Sequence, residues 1–162
     1  MNEDDLQFQD YCVELLYKAG IPIQVYGSKK YQIKVGESIG RVEIKHDKKM
    51  KDKEGKWKNI YIEYAERHDP EKPFIYSGIL RDDNTLYYMI GDYERTFLLG
   101  KFQLLAILHN FEKKETPTSK GIVVPIEYLE KHKPIILMEW DNGNEKKNYE
   151  ISEIRKEPIF SI

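Results

Sequence analysis

The chain has 162 residues and a formal net charge of −2, with 40% hydrophobic and 33% charged residues. That length suits one domain that buries about two thirds of its surface, so it folds without a disulfide or a structural metal. The near-neutral charge gives no global signature of nucleic-acid binding, so any such signal has to be local. Cys12 is the single cysteine, which excludes an internal disulfide and a cysteine-based zinc site.

The start of the chain and its apolar runs predict where the protein works. Residues 1–5 are acidic and lack the basic and apolar regions of a signal peptide. Every apolar run falls well short of the roughly 20 residues of a membrane span. We therefore expect a cytoplasmic protein with no membrane partner.

An amphipathic helix is predicted first. Between Leu6 and Ala19 the apolar residues recur at the i, i+3 and i+4 positions of one helix face. Asp4 or Asp5 would cap its start, and Gly20 would end it.

The period then changes to two, which predicts strands with one buried face. Strands are predicted at 31–35, 41–45 and 60–65, and we expect them to form a three-strand meander. The second and third are separated by the polar segment 46–58, with Gly55 at a turn.

The second half of the chain alternates short strands and helices. Its predicted elements are a loop at 67–73, strands at 85–90 and 95–99, a helix at 101–110, a polar linker at 112–121, a helix at 125–132 and a strand at 134–140. The fold class is therefore α+β, with an N-terminal helix, a central mixed sheet and short flanking helices. We expect one domain over 1–162, with a core at about 5–110 and a C-terminal extension at about 111–162 that carries no readable motif.

Glu43 and Lys45 carry the strongest chemical signal. They lie two apart on a predicted strand, so their side chains share one face while Val42 and Ile44 point into the core. This puts a carboxylate beside an ammonium, near a turn that holds Glu37. Carboxylates bind a hard divalent cation that activates water, and a lysine can orient that water. The same spacing is also typical of an ordinary charged strand face, so the neighbouring sequence decides.

The neighbouring sequence contains an ordered set of motifs. Gly36-Glu37 and Glu43-Ile44-Lys45-His46-Asp47 are followed by Asn59-Ile60-Tyr61-Ile62-Glu63 and then by Ser77-Gly78-Ile79. This order resembles the PD-(D/E)XK nuclease superfamily, in particular a compact phage-type group, over roughly residues 5–100. The resemblance implies a restriction-endonuclease-like fold and cleavage of DNA phosphodiester bonds with Mg²⁺ or Mn²⁺.

The resemblance also implies roles for individual residues. Glu43 takes the place of the motif's acidic residue and Lys45 that of its lysine, and Glu37 matches the earlier acidic residue. These three form the expected catalytic set, with Glu37 and Glu43 as metal ligands. Glu63 would be a third metal ligand or an orienting group. Many members carry a metal-assisting glutamate on the first helix, where this chain has Gln9.

Gln9 supports an alternative: a catalytically inactive module of the same fold that binds DNA or another partner. A further alternative is a structural protein in which Glu43 and Lys45 form an exposed pair. An active enzyme would be of phage or prophage origin and act in DNA recombination, repair or replication. A homodimer is expected if both strands of a duplex are cut.

A basic segment follows the candidate site. Residues 45–58 hold seven lysines against three acidic residues, a net charge of +4. Charge runs are usually solvated loops, but lysines here would contact backbone phosphates independently of base sequence. The residues assigned to DNA binding are Lys48, Lys49, Lys51, Lys56 and Lys58. Trp57 is expected to anchor the segment rather than to stack on a base.

Overall fold

The computed structural model describes residues 3–132 and 136–146. Its helices are α1 (Glu3–Lys18), α2 (Lys29–Val35), α3 (Lys101–Ile107) and α4 (Ile126–Lys131), with a one-turn 3-10 helix at Gly78–Leu80. Its strands are β1 (Val42–His46), β2 (Asn59–Glu66), β3 (Ile75–Tyr76), β4 (Tyr87–Gly91), β5 (Arg95–Gly100), β6 (Lys113–Glu115), β7 (Ser119–Pro125), β8 (Ile136–Asp141) and β9 (Asn144–Glu145). The predicted α+β class is confirmed.

The strands form two sheets. The first has the order β1-β4-β5-β8-β9, and it is mixed because β1 runs parallel to β4 while the other neighbours are antiparallel. The second has the order β3-β2-β7-β6 and is antiparallel throughout. β1 is therefore an edge strand of the first sheet.

The first sheet is covered on both faces. Side chains alternate along a strand, so Met89 of β4 packs with α1 while its neighbours Tyr88 and Ile90 pack against the second sheet. In β5, Leu98 faces α1 in the same way. The layers are thus α1, the first sheet and the second sheet, with a core in each of the two spaces between them.

α1 confirms the first predicted helix. Three acidic residues occupy its first turn, where they complement the partial positive charge of the helix N-terminus. Its apolar face buries Phe8, Cys12 and Leu16 over Val42. Burial raises the pKa of the Cys12 thiol, so this cysteine is an inert core residue.

The strand predicted at 31–35 is wrong, since these residues belong to α2. The side chain of Ser28 caps this helix by accepting a hydrogen bond from the Tyr31 amide, and Gly36 ends it with φ +101°. Tyr31 and Ile33 are exposed, so the apolar alternation that predicted a strand buries neither of them. Local capping outweighed the weak strand preference of the β-branched residues.

The three-strand meander is also wrong. β1 pairs with β4, and β2 pairs with β7 and β3 in the other sheet. The segment between β1 and β2 makes its own turn, with a bridge between Lys51 and Trp57 and with Gly55 at φ +79°. Met50 is fully buried between the sheets. This segment therefore carries the chain from one sheet to the other.

The polar linker predicted at 112–121 contains strand structure. β6 and β7 pair antiparallel in the second sheet, and β7 lies beside β2. β6 is exposed along its length, which explains its polar sequence, since an edge strand needs little apolar surface. Strands beyond residue 112 thus contribute to both sheets, with Ile122 and Val124 in the core.

The remaining predicted elements agree with the structure. The strands at 85–90 and 95–99 match β4 and β5, and the helices at 101–110 and 125–132 match α3 and α4. β8 matches the predicted strand at 134–140, of which 134–135 lie outside the described residues. None of the helices in the described part of the chain has the length and apolar character needed to span a membrane.

Candidate functional site

Glu43 lies at the centre of the candidate site, between the two sheets. Its neighbour on β4 is Tyr88, and only 1% of Glu43 is exposed. Val42 and Ile44 pack under α1. The prediction that Glu43 and Lys45 share one strand face is confirmed. The alternative of an exposed surface pair is wrong, because Glu43 is buried.

Two cations face the Glu43 carboxylate. The Lys45 Nζ lies 2.6 Å from Oε1, and the Arg81 Nη1 lies 3.8 Å from Oε2. Within the described residues, neither carboxylate oxygen accepts a hydrogen bond of good geometry. The close Lys45 contact takes up one lone pair of Oε1, and the remaining lone pairs of the carboxylate suit a ligand of a hard cation.

Lys45 lies in the electrostatic field of three carboxylates. Burial lowers the pKa of Lys45, but the ion pair with Glu43 and the nearby charges of Glu37 and Glu63 outweigh this, so the pKa is raised. The lysine is therefore protonated at neutral pH. Its side chain is 42% exposed, while its ammonium lies against the buried Glu43 carboxylate.

Glu37 binds the free edge of β1. Its Oε2 accepts a hydrogen bond from the Ile44 amide at 2.6 Å. Burial raises the pKa of Glu37, and the charge of Glu43 adds to this, whereas the Ile44 hydrogen bond and Lys45 act in the opposite direction. Glu37 lines a cleft of about 270 Å³ together with Gln9, Lys29, Lys45 and other residues.

Glu63 is fixed by two hydroxyl groups. Ser77 donates to its Oε1 and Ser119 to its Oε2, each at 2.8 Å. Gly78 follows Ser77 with φ +48°, and a Cβ there would lie 2.1 Å from the Glu63 carbonyl oxygen, so this position requires glycine. Because both Glu63 oxygens are bonded, the structure favours its orienting role over direct metal binding.

A cavity of about 160 Å³ lies beside these groups, between the sheets. Its lining includes Lys45, Glu63 and Tyr88. The three predicted carboxylate ligands nevertheless do not converge on one point. Among the described residues, the one group of three or more candidate ligands with atoms within 4.8 Å of one another is Asp4, Asp5 and His46. Mg²⁺ is often held by one or two carboxylates and water, so a site for this ion does not require all three.

Arg81 and Tyr88 complete the site, and neither was predicted as a site residue. Burial lowers the pKa of Arg81, but Glu43 and Glu66 raise it more, so the guanidinium stays charged. Burial raises the pKa of the Tyr88 hydroxyl, and Glu43 adds to this. Arg81 follows the Ser77-Gly78-Ile79 motif by two residues, which is the one sequence signal that pointed to it.

Most lysines assigned to DNA binding are engaged within the chain. The ion pairs are Lys48 with Asp4 and Asp5, Lys51 with Glu94, and Lys56 with Glu54. Lys49 and Lys58 are exposed, and they form no ion pair with the residues described.

Trp57 is half-buried against the core between the sheets, with Lys51 Nζ 4.4 Å from its ring centroid. The prediction that Trp57 anchors the segment is confirmed.

Comparison of the chain with protein-family models, with curated proteins and with solved structures finds no match.

The buried charge of Glu37 predicts a stabilising substitution. Glutamine keeps an oxygen for the Ile44 amide and removes a charge whose burial raises the pKa. A raised carboxyl pKa destabilises the fold above the folded-state pKa and has no effect below the unfolded-state value. In metal-free protein, Glu37→Gln should therefore raise the free energy of unfolding at about pH 7 and leave it nearly unchanged at about pH 3.5.

Urea denaturation at the two pH values measures this, with EDTA present. The control is Glu54→Gln, a change of the same type at an exposed position. Loss of stability in Glu37→Gln at the higher pH would show that the charge is well compensated in the fold.

Proposed function

We propose that the protein is a metal-dependent nuclease that hydrolyses phosphodiester bonds in DNA. The observation that carries this is the buried Glu43 carboxylate, with no well-directed hydrogen bond from the described residues, beside Lys45 and Glu37. A buried ion pair of this kind contributes little net stability, so stability alone does not explain its presence. Clusters of ionisable groups with perturbed pKa in a cleft are characteristic of functional sites.

The residues present fit a hard divalent cation. Glu43 keeps carboxylate lone pairs beyond the one that faces Lys45, and Glu37 uses one oxygen for the Ile44 amide. These two would hold Mg²⁺ or Mn²⁺, with water completing the coordination. When bound, the cation would polarise the scissile phosphate and lower the pKa of a coordinated water.

Lys45 would act as a charged group. Because the surrounding carboxylates keep it protonated, it is suited to orient the attacking water and to offset charge on the phosphate, rather than to serve as a base. Glu63, fixed by Ser77 and Ser119, would hold the ammonium in place. Arg81 would supply a second cation on the other side of Glu43.

DNA would approach from the exposed side of the cleft. Lys29 lines the cleft with Glu37, and the exposed Lys49 and Lys58 lie in the segment that follows β1. Contacts of this kind bind backbone phosphates and carry no base specificity. The resemblance to phage-type nucleases supports phage or prophage origin, a role in DNA recombination, repair or replication, and a homodimer for cleavage of a duplex.

A second candidate is an inactive DNA-binding module. Lys45 and Arg81 already balance the charge of Glu43, and Gln9 offers no charge from the first helix. In this case the two cations would only balance the buried charge, and the network would bind no metal.

Cleavage assays distinguish the two functions. Wild-type protein with Mg²⁺ or Mn²⁺ should cleave at least one of single-stranded, duplex, flap or four-way DNA. Glu43→Gln and Lys45→Met should each lower the rate by at least about a hundredfold. The chain offers a matched control, since Glu54 and Lys56 have the same spacing and form a 2.8 Å ion pair at the surface. Glu54→Gln should cleave like the wild type, and Lys56→Met should do so at saturating DNA.

Absence of cleavage with every substrate, together with retained DNA binding, would favour the inactive module. Circular dichroism of each variant shows whether a loss of activity reflects a loss of fold.

The exposed lysines predict the salt dependence of DNA binding. Each phosphate contact contributes about 0.9 to the slope of log K against log salt for duplex DNA. Lys49→Ala and Lys58→Ala should each reduce the slope by about that amount. Lys56→Ala should change it less, because Glu54 already pairs with Lys56. Fluorescence anisotropy in EDTA measures these slopes, and equal slopes in all four proteins would exclude this DNA-binding surface.

A further inference from the structure

The first turn of α1 and the end of β1 form a separate group of potential metal ligands. One carboxylate oxygen from Asp4, one from Asp5 and a ring nitrogen of His46 lie within 4.8 Å of one another. Neither Glu37 nor Glu43 belongs to this group. An acidic pair at a helix N-terminus is common in itself, so the histidine carries the inference.

His46 is held in one orientation. Its ring stacks on Phe8 with centroids 4.3 Å apart and contacts the edge of Tyr93 at 5.4 Å. Its side chain is only 7% exposed. The Nδ1 therefore points at the two aspartates from a fixed position, as a preorganised ligand does.

The His46 Nδ1 has no hydrogen-bond partner within the described residues. It lies 3.6 Å from Asp4 Oδ2 and 3.6 Å from Asp5 Oδ1, which is too long for a hydrogen bond. A buried nitrogen without a partner is unfavourable. Two ligands bound at about 2.0–2.2 Å to one cation lie roughly 3–3.6 Å apart, and the observed distances agree with the upper end of that range.

Lys48 supplies a cation to the same oxygens. Its Nζ lies 2.5 Å from Asp4 Oδ2 and 3.2 Å from Asp5 Oδ1. The Lys48 side chain is 44% exposed, so it can turn into solvent when a stronger cation binds. Exposed ion pairs of this kind contribute little stability.

We propose that Asp4, Asp5 and His46 bind one divalent transition-metal ion of the Zn²⁺, Co²⁺ or Mn²⁺ type, in place of Lys48. A mixed nitrogen and oxygen ligand set suits these ions, whereas Mg²⁺ prefers oxygen alone. The bound ion links the start of α1 to the end of β1. The site does not depend on the proposed nuclease function, because it uses different side chains.

Binding of Co²⁺ to the untagged, EDTA-treated chain tests the proposal. Calorimetry and visible absorbance measure this binding. Asp4→Asn and His46→Gln should weaken this site by at least about tenfold, since even outer-shell changes cost that much. Lys48→Met should bind Co²⁺ about fivefold more tightly, because it removes a competing charge. His109→Gln and Lys49→Met are the same types of substitution at exposed positions. As controls, they should leave Co²⁺ binding unchanged.

Glu43→Gln separates this site from the proposed nuclease site. Loss of cleavage in Glu43→Gln, with the Co²⁺ affinity of the Asp4, Asp5 and His46 site unchanged, supports two independent sites. Co²⁺ binding that is absent in the wild type, equal in Asp4→Asn, or weaker in Lys48→Met overturns the proposal. Asp4 is half exposed, so Asp4→Asn keeps the test valid even if His46→Gln fails to fold.

Discussion

The buried charge of Glu43 is the constraint on which the other features of the site depend. A carboxylate between two sheets is tolerated only with cations beside it, and Lys45 and Arg81 supply them from β1 and from the turn after the 3-10 helix. Arg81 in turn lies 3.4 Å from Glu66 at the end of β2. The charge network therefore ties the edge of the first sheet to the second sheet. The same charged residues therefore form the candidate site and a contact between the two sheets.

The layered architecture explains why this edge is suited to chemistry. β1 is paired on one side only, so the Ile44 amide is free to bind Glu37. Its inner face holds Glu43 and Lys45, while its outer face packs under α1. Lys45 and His46 line both the cleft on the Glu37 side and the cavity between the sheets. A polar group bound at this edge would contact both spaces.

Periodic features could be predicted from the sequence, and long-range ones could not. The helix period located α1, and the period of two placed Glu43 and Lys45 on one face. The meander failed because the partner of β1 is β4, more than 40 residues later, and no local pattern encodes that pairing. Ser119 reaches the site because β7 pairs with β2, and Arg81 reaches it because the chain after the 3-10 helix lies against Glu43. Asp4 and His46 have no motif spacing, so their proximity appears only in the folded chain.

Metal binding at Glu43 can be measured directly. Wild-type crystals soaked in Mn²⁺ should show an anomalous scattering peak within about 2.0–2.6 Å of a Glu43 oxygen, with the Lys45 Nζ moved away from its 2.6 Å contact. A Mn²⁺ peak at Asp4, Asp5 and His46 alone, with the Lys45–Glu43 pair intact, would contradict a metal-dependent site at Glu43.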